Sequence, residues 1–163
     1  MDEAVQQFVE RMGLICEKEG MARSAGRIFG LLLVSGRAFS LDELAEKLQA
    51  SKAGVSTNCR MLEQFGMIEQ VSSLGDRRDF YRVRDDPWEH MMRVAQSRWH
   101  DMVKILAEAQ TTLPAEMVDG KRTLGTALQF HQLLIRDVDQ LLQHWHELQQ
   151  PGGQGTSPAE HAA

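Results

Sequence analysis

Apolar residues recur at helical spacing along most of this chain, with one interruption where the period shortens. Val5, Phe8, Val9, Met12 and Ile15 step by three and four, which predicts an amphipathic helix over residues 2–19, stopped at Gly20. Met21 to Ser35 predicts a second helix with Ile28, Leu31 and Leu32 inward. Gly26 and Gly30 lower helix propensity there, but their spacing suits the close approach of another helix. Ser40-Leu41-Asp42-Glu43 fits a capping box and opens a helix carrying Leu41, Leu44, Ala45 and Leu48. Gln49 and Ala50 make a turn. Ser51 is placed to cap a further helix from Lys52 to Phe65, with Val55, Cys59, Leu62 and Phe65 inward and Gly66 at its end. Two strands follow, Met67 to Leu74 and Asp79 to Val83, joined by Gly75-Asp76-Arg77-Arg78, with Ile68, Val71, Tyr81 and Val83 as their buried contacts.

Helical spacing then returns. Asp86 and Pro87 suit the cap and first position of a helix bearing Trp88, Met92, Ala95, Trp99, Met102, Leu106 and Ala109. Pro114 breaks it. A last long helix, 117–149, carries Leu124, Leu128, His131, Ile135, Val138, Leu142 and Trp145, with Leu134, Leu141 and Leu148 as a second line beside them. An apolar face that wide exceeds a two-stranded seam and predicts more than one neighbour, which a second copy of the chain would supply. The tail from Pro151 has no periodicity and is expected to be disordered. The expected organisation is N-terminal helices over 1–36, a winged helix-turn-helix over 37–85, C-terminal dimerisation helices over 86–149 and a disordered tail over 150–163. The fold class is mainly α with a small β-wing.

Composition changes this picture little. The 163 residues are 42% hydrophobic and 25% charged, ordinary for a soluble protein. No apolar run reaches the roughly 18 residues of a membrane span, and the acidic N-terminus is unlike a signal peptide, so a cytoplasmic location without membrane partners is expected. Cys16 and Cys59 form no CxxC, which indicates neither a disulfide framework nor a zinc site. Charge is more informative through its distribution. Residues 37–84 hold eight Lys/Arg against seven Asp/Glu, a balance of +1. The remainder holds ten against sixteen, a balance of −6. A nearly neutral segment on an acidic body is compatible with nucleic acid, but few phosphates can be neutralised, so non-specific affinity should be modest.

The segment from Ser40 to Val83 carries the candidate chemistry. With Val55, Cys59 and Leu62 inward, its second helix turns Lys52, Ala53, Ser56, Thr57, Arg60 and Gln64 outward. A helix in the major groove approaches base edges with its N-terminal residues, where Ser51, Lys52, Ser56 and Thr57 stand; Arg60 could reach a guanine edge or a phosphate. Ala53 and Gly54 keep the first turn slim. Arg77 and Arg78 at a hairpin tip suit a minor groove or the backbone. Each feature has a plainer reading, as a solvated helix face and a solvated turn paired by Asp76 and Asp79; their joint order favours double-stranded DNA.

Other residues weigh less. Trp88, Trp99, Phe130 and Trp145 could box a quaternary ammonium ligand, but three of them lie on the apolar stripes and read better as packing. His131 reads as a hydrogen-bonded seam residue before a pH or metal element, and His144 and His146 point apart. Cys59 faces inward and has no partner cysteine nearby, which disfavours redox sensing. No phosphate-binding loop, zinc-protease motif or nucleophile elbow is present, so neither an enzyme nor a bound cofactor is expected. The main rival is a winged helix that binds another protein and no DNA.

Four stretches make the chain resemble the GbsR/MarR family of bacterial transcriptional regulators. They are Gly26-Arg27-Ile28-Phe29-Gly30-Leu31-Leu32, Leu41-Asp42-Glu43-Leu44-Ala45, Ser51-Lys52-Ala53-Gly54-Val55-Ser56 and Leu62-Glu63-Gln64-Phe65-Gly66-Met67-Ile68. Gly75-Asp76-Arg77-Arg78 is similar to the family's wing, with Arg78 at its arginine position. The resemblance covers residues 5–110, and the last helix matches only in kind. It implies a homodimer of winged helices joined by first and last helices, two recognition helices on a palindromic site, and a repressor as the usual role. It further implies that a small-molecule effector, unidentified here, relieves repression in some members.

Overall fold

The computed structural model describes residues 1–73 and 76–149, with backbone alone at 73, 76 and 77. Leu74, Gly75 and the tail from 150, where the end of a strand, the start of a turn and disorder were expected, lie outside the described residues. The chain forms two compact units, Met1–Val94 and the part from Ala95 onward.

The first unit opens with α1 (Glu3–Lys18), capped by the Asp2 side chain accepting from Ala4 N–H. It ends at Gly20, whose φ of +82° is the left-handed region open to glycine. There Gly20 N–H donates to the Glu17 carbonyl and Met21 N–H to that of Cys16, which satisfies the last carbonyls of the helix. The face that packs differs from the expected stripe. Val9, Gly13 and Cys16 are buried while Ile15 is 55% exposed. The cause is the neighbour, α2 (Arg23–Ser35), which approaches through small residues. A β-carbon on Gly26 would stand 2.5 Å from the Met12 carbonyl oxygen, and one on Gly30 would stand 2.9 Å from Met12 Cβ. Glu10 clamps the pair by ion pairs to Arg23 at 2.9 Å and Arg27 at 2.7 Å.

A short strand, β1 (Phe39–Ser40), was not expected. It leads into α3 (Leu41–Leu48), whose capping box forms as read: Ser40 Oγ accepts from Glu43 N–H at 3.3 Å and Ser40 N–H donates to Glu43 Oε2 at 2.8 Å. α4 (Lys52–Gln64) follows after a tight turn. Then come β2 (Ile68–Ser73) and β3 (Asp76–Val83). The three strands form one antiparallel sheet in the order β1-β3-β2, with Phe39 opposite Tyr81 and Ile68 opposite Val83. β3 therefore begins at Asp76, three residues earlier than the alternation of side chains suggested, and the backbone of Arg77 and Arg78 belongs to the strand rather than to the turn. Ile68 and Tyr81 are buried as expected; Val71 and Val83 are half-buried.

The core of this unit gathers Val9, Ile28, Phe29, Leu32, Leu44, Leu48, Val55, Cys59, Leu62 and Ile68 from helices and sheet alike. Each large aliphatic or aromatic side chain so buried contributes about 1.5–3 kcal/mol. Trp88 meets the edge of Phe29 with ring centroids 6.1 Å apart.

α5 (Pro87–Thr112) starts as the sequence indicated, with Asp86 Oδ1 accepting from Glu89 N–H at 3.0 Å. In the second unit it continues alongside α6 (Val118–Gln149). Leu106, Val138 and Leu142 are buried there. The Gln96 side chain, also buried, donates to the Ile135 carbonyl and to Asp139 Oδ1. Several apolar side chains of this unit stay exposed: Ile105 is 62%, Phe130 55% and Leu141 54% exposed.

Candidate nucleic-acid interface

α3, the turn and α4 make a helix-turn-helix whose geometry is set by local chemistry. Gln49 sits at φ +51°, the one described non-glycine residue with positive φ. In that conformation its N–H donates to the Glu46 carbonyl, and Ala50 N–H donates to the Ala45 carbonyl. The chain is thereby reversed sharply enough to begin α4 with only three residues between it and the end of α3. Ser51 caps the new helix, its Oγ accepting from Gly54 N–H at 3.1 Å.

Burial of Val55, Cys59 and Leu62 fixes which side of α4 faces out. Lys52, Ala53, Thr57, Arg60 and Gln64 are exposed, as is Ser51, and Ser56 is half-buried. Lys52 Nζ is 2.7 Å from Asp42 Oδ1 on α3. Thr57 Oγ1 donates back to the Ala53 carbonyl at 3.0 Å, which leaves its lone pairs free to accept. The sheet carries the second element. Arg78 is exposed and its guanidinium carbon lies 5.3 Å from the centroid of the Phe80 ring. The Arg77 side chain lies outside the described residues. Lower on the sheet, Arg82 is paired with Glu69 at 2.7 Å.

Asn58 was missed by the sequence reading. Its Nδ2 donates to the Gly54 carbonyl at 2.7 Å and to Ser24 Oγ, on α2, at 2.9 Å. A signal existed: Asn58 stands three residues after Val55 and beside Cys59, at the margin of the inward stripe, where a polar group needs a partner.

Cys59 is buried beneath the helix, and desolvation, reinforced by Glu63, pushes its thiol up to about 12. The Tyr81 hydroxyl is likewise pushed up, first by burial. Glu43 is held below the usual carboxylate range, chiefly by the Ser40 backbone N–H. Two of the four aromatic residues weighed as a ligand box stand too far apart on one helix to line it together. Phe130 and Trp145 are fifteen residues apart on α6, about 22 Å along its axis. Phe130 instead packs edge-on against His131, whose Nδ1 bonds the Ala127 carbonyl at 2.8 Å. Among the described residues no three His, Cys, Asp or Glu are grouped to hold a metal, and no helix is long and apolar enough to cross a membrane.

No family model matches the sequence. Comparison with characterised proteins is decisive. Over 140 residues the chain is 37% identical to the HTH-type transcriptional regulator MmpR5 of Mycobacterium tuberculosis (strain ATCC 25618 / H37Rv), spanning 85% of this chain and 78% of that protein. The chain belongs to the HTH-type transcriptional regulators. GbsR, an HTH-type transcriptional repressor of Bacillus subtilis (strain 168), is 25% identical to the regulator over 69% of this chain and 62% of GbsR. That similarity agrees with the GbsR/MarR resemblance carried by the sequence motifs. A crystal structure of a transcriptional regulator superposes on this one with a TM-score of 0.82 at 31% identity, covering 88% of this chain and 99% of the other. The regulator is thus a DNA-binding transcription factor built on a winged helix-turn-helix.

Proposed function

We propose that this regulator is a cytoplasmic repressor that binds a palindromic double-stranded operator as a homodimer. In this reading Ser51, Lys52, Ser56, Thr57 and Arg60 address the major groove, and Arg77 and Arg78 address the wing-side groove or backbone. A small-molecule effector of unidentified class relieves repression. The observation that carries the proposal is the outward face of α4, a capped helix N-terminus bearing Lys52 and Thr57 with Arg60 one turn on, all exposed. Free amides at such a terminus favour a phosphate, and these side chains can donate to or accept from base edges. Repression is supported by the similarity to GbsR, which is named as a repressor. The homodimer is supported by the uncovered apolar residues of the second unit.

The test is a mobility shift on the gene's own upstream duplex. Thr57→Ala should change the preferred sequence, and Arg60→Ala should weaken binding to that duplex by about 1–3 kcal/mol if it grips guanine. Arg77→Ala with Arg78→Ala should weaken binding to any duplex and flatten its salt dependence. DNA retention that none of these changes alters would remove α4 and the wing from the interface.

A further inference from the structure

We infer that Asn58 is a positioning residue for DNA recognition, keying α4 to α2 through Ser24. The apolar contacts of α4, made by Val55, Cys59 and Leu62, are non-directional: they hold the helix down but tolerate rotation and sliding along its axis. The Asn58 amide does not. Both of its N–H groups are committed, one to the Gly54 carbonyl of its own helix at 2.7 Å and one to Ser24 Oγ at 2.9 Å, thirty-four residues away in sequence. A carbonyl can only accept, so the nitrogen must face Gly54, and the amide has one orientation. Ser24 in turn belongs to a stiff support. It sits beside Arg23, which pairs with Glu10 on α1, and two residues before Gly26, where α1 and α2 approach most closely. Asn58 therefore transfers the position of the α1–α2 pair to the helix that carries Thr57 and Arg60, one residue before and two residues after it.

The inference rests on the proposal that α4 reads DNA, and the experiment separates the two. Asn58→Ala, Ser24→Ala, the double variant and Ser24→Thr are titrated against the upstream duplex and a scrambled duplex of equal length and composition, over a range of salt, with thermal unfolding alongside. Loss of one neutral hydrogen bond corresponds to a roughly three- to tenfold fall in the ratio of upstream to scrambled affinity for either single alanine variant. The double variant should fall no further, because both substitutions break the same link. Ser24→Thr, which keeps the hydroxyl, should restore the ratio. The salt dependence on scrambled DNA should not move, since no cation is altered. If Asn58→Ala destabilises the fold, Ser24→Ala breaks the same link from the other side. A wild-type ratio in both alanine variants overturns the role of Asn58, as does an equal loss on both duplexes that follows the unfolding temperature. A wild-type protein without preference for the upstream duplex overturns the reading of α4 as well.

Discussion

Lys52 Nζ and Asp42 Oδ1 lie 2.7 Å apart and join the first turns of the two helices of the helix-turn-helix. Both side chains are more than half exposed, so the pair adds little stability, in the range of about 0.2–1 kcal/mol for surface pairs. Its consequence is for DNA. A phosphate that engages Lys52 must compete with Asp42, and the freed carboxylate repels the backbone. Asp42→Asn should therefore tighten binding to any duplex about two- to fivefold and steepen the dependence of log affinity on log salt by up to about 0.9, the value of one phosphate contact. Fluorescence anisotropy at several salt concentrations measures both, and an unchanged slope would falsify a competition between Asp42 and DNA.

What the sequence made legible is local. Ser40 with Glu43, Ser51 with Gly54, and Asp86 ahead of Pro87 are caps written within four residues, and all three form. The inward face of α4 was also readable, because Val55, Cys59 and Leu62 leave no second solution at helical spacing. What was illegible depends on partners. Ile15 continues the apolar stripe of α1, yet the neighbouring helix packs against Gly13 and Cys16 because small residues allow it closer there. The two residues of β1 are too few to show a period, and its existence follows only from pairing with β3. The link from Asn58 to Ser24 spans thirty-four residues, and no local pattern announces it. Exposure on a helix face names residues that can reach a groove and not the bases they meet.

Gln49 gives a prediction about stability. Its φ of +51° places a side chain in the left-handed region, which costs an L-residue about 1–2 kcal/mol and a β-branched residue more. Glycine removes that strain and gives back part of the gain through unfolded-state entropy. Calorimetry should rank Gln49→Gly at or slightly above wild type and Gln49→Val below it by about 1–3 kcal/mol, a fall of several degrees in Tm. The reverse order would mean that the turn between α3 and α4 relaxes out of its left-handed conformation.

Cys59 should be chemically inert while the protein is folded. Burial raises its thiol from an ordinary 9.0 to about 12, so almost no thiolate exists near neutrality, and the thiolate is the reactive form. The sign of the linkage follows. A raised folded value stabilises fully below the unfolded value near 9 and is lost as pH rises toward 12, so stability should decline across that alkaline window. Cys59→Ser should flatten the decline while placing a hydroxyl among apolar neighbours. Pulsed alkylation at pH 8 followed by mass spectrometry should label Cys59 at least a hundredfold more slowly in native than in denatured protein. Fast native labelling would instead show that α4 lifts from the core often enough to expose its inner face.

Leu141 and Ile105, on α6 and α5, test whether the uncovered apolar surface of the second unit is an interface between copies. Both are more than half exposed in one protomer, so replacing either with Glu should leave the protomer's own core, built there on Leu106, Val138 and Leu142, intact. In a dimer the same change buries a charge without a partner, at a cost of several kcal/mol. Light scattering after size exclusion should show the mass of wild type at twice that of Leu141→Glu or Ile105→Glu at micromolar concentration, with unchanged circular dichroism. Operator affinity should fall by about a hundredfold or more, because two linked heads bind far more tightly than one. A wild type that is monomeric and still grips its operator would require each winged helix to act alone, and the wide apolar faces of α5 and α6 would then need a different partner.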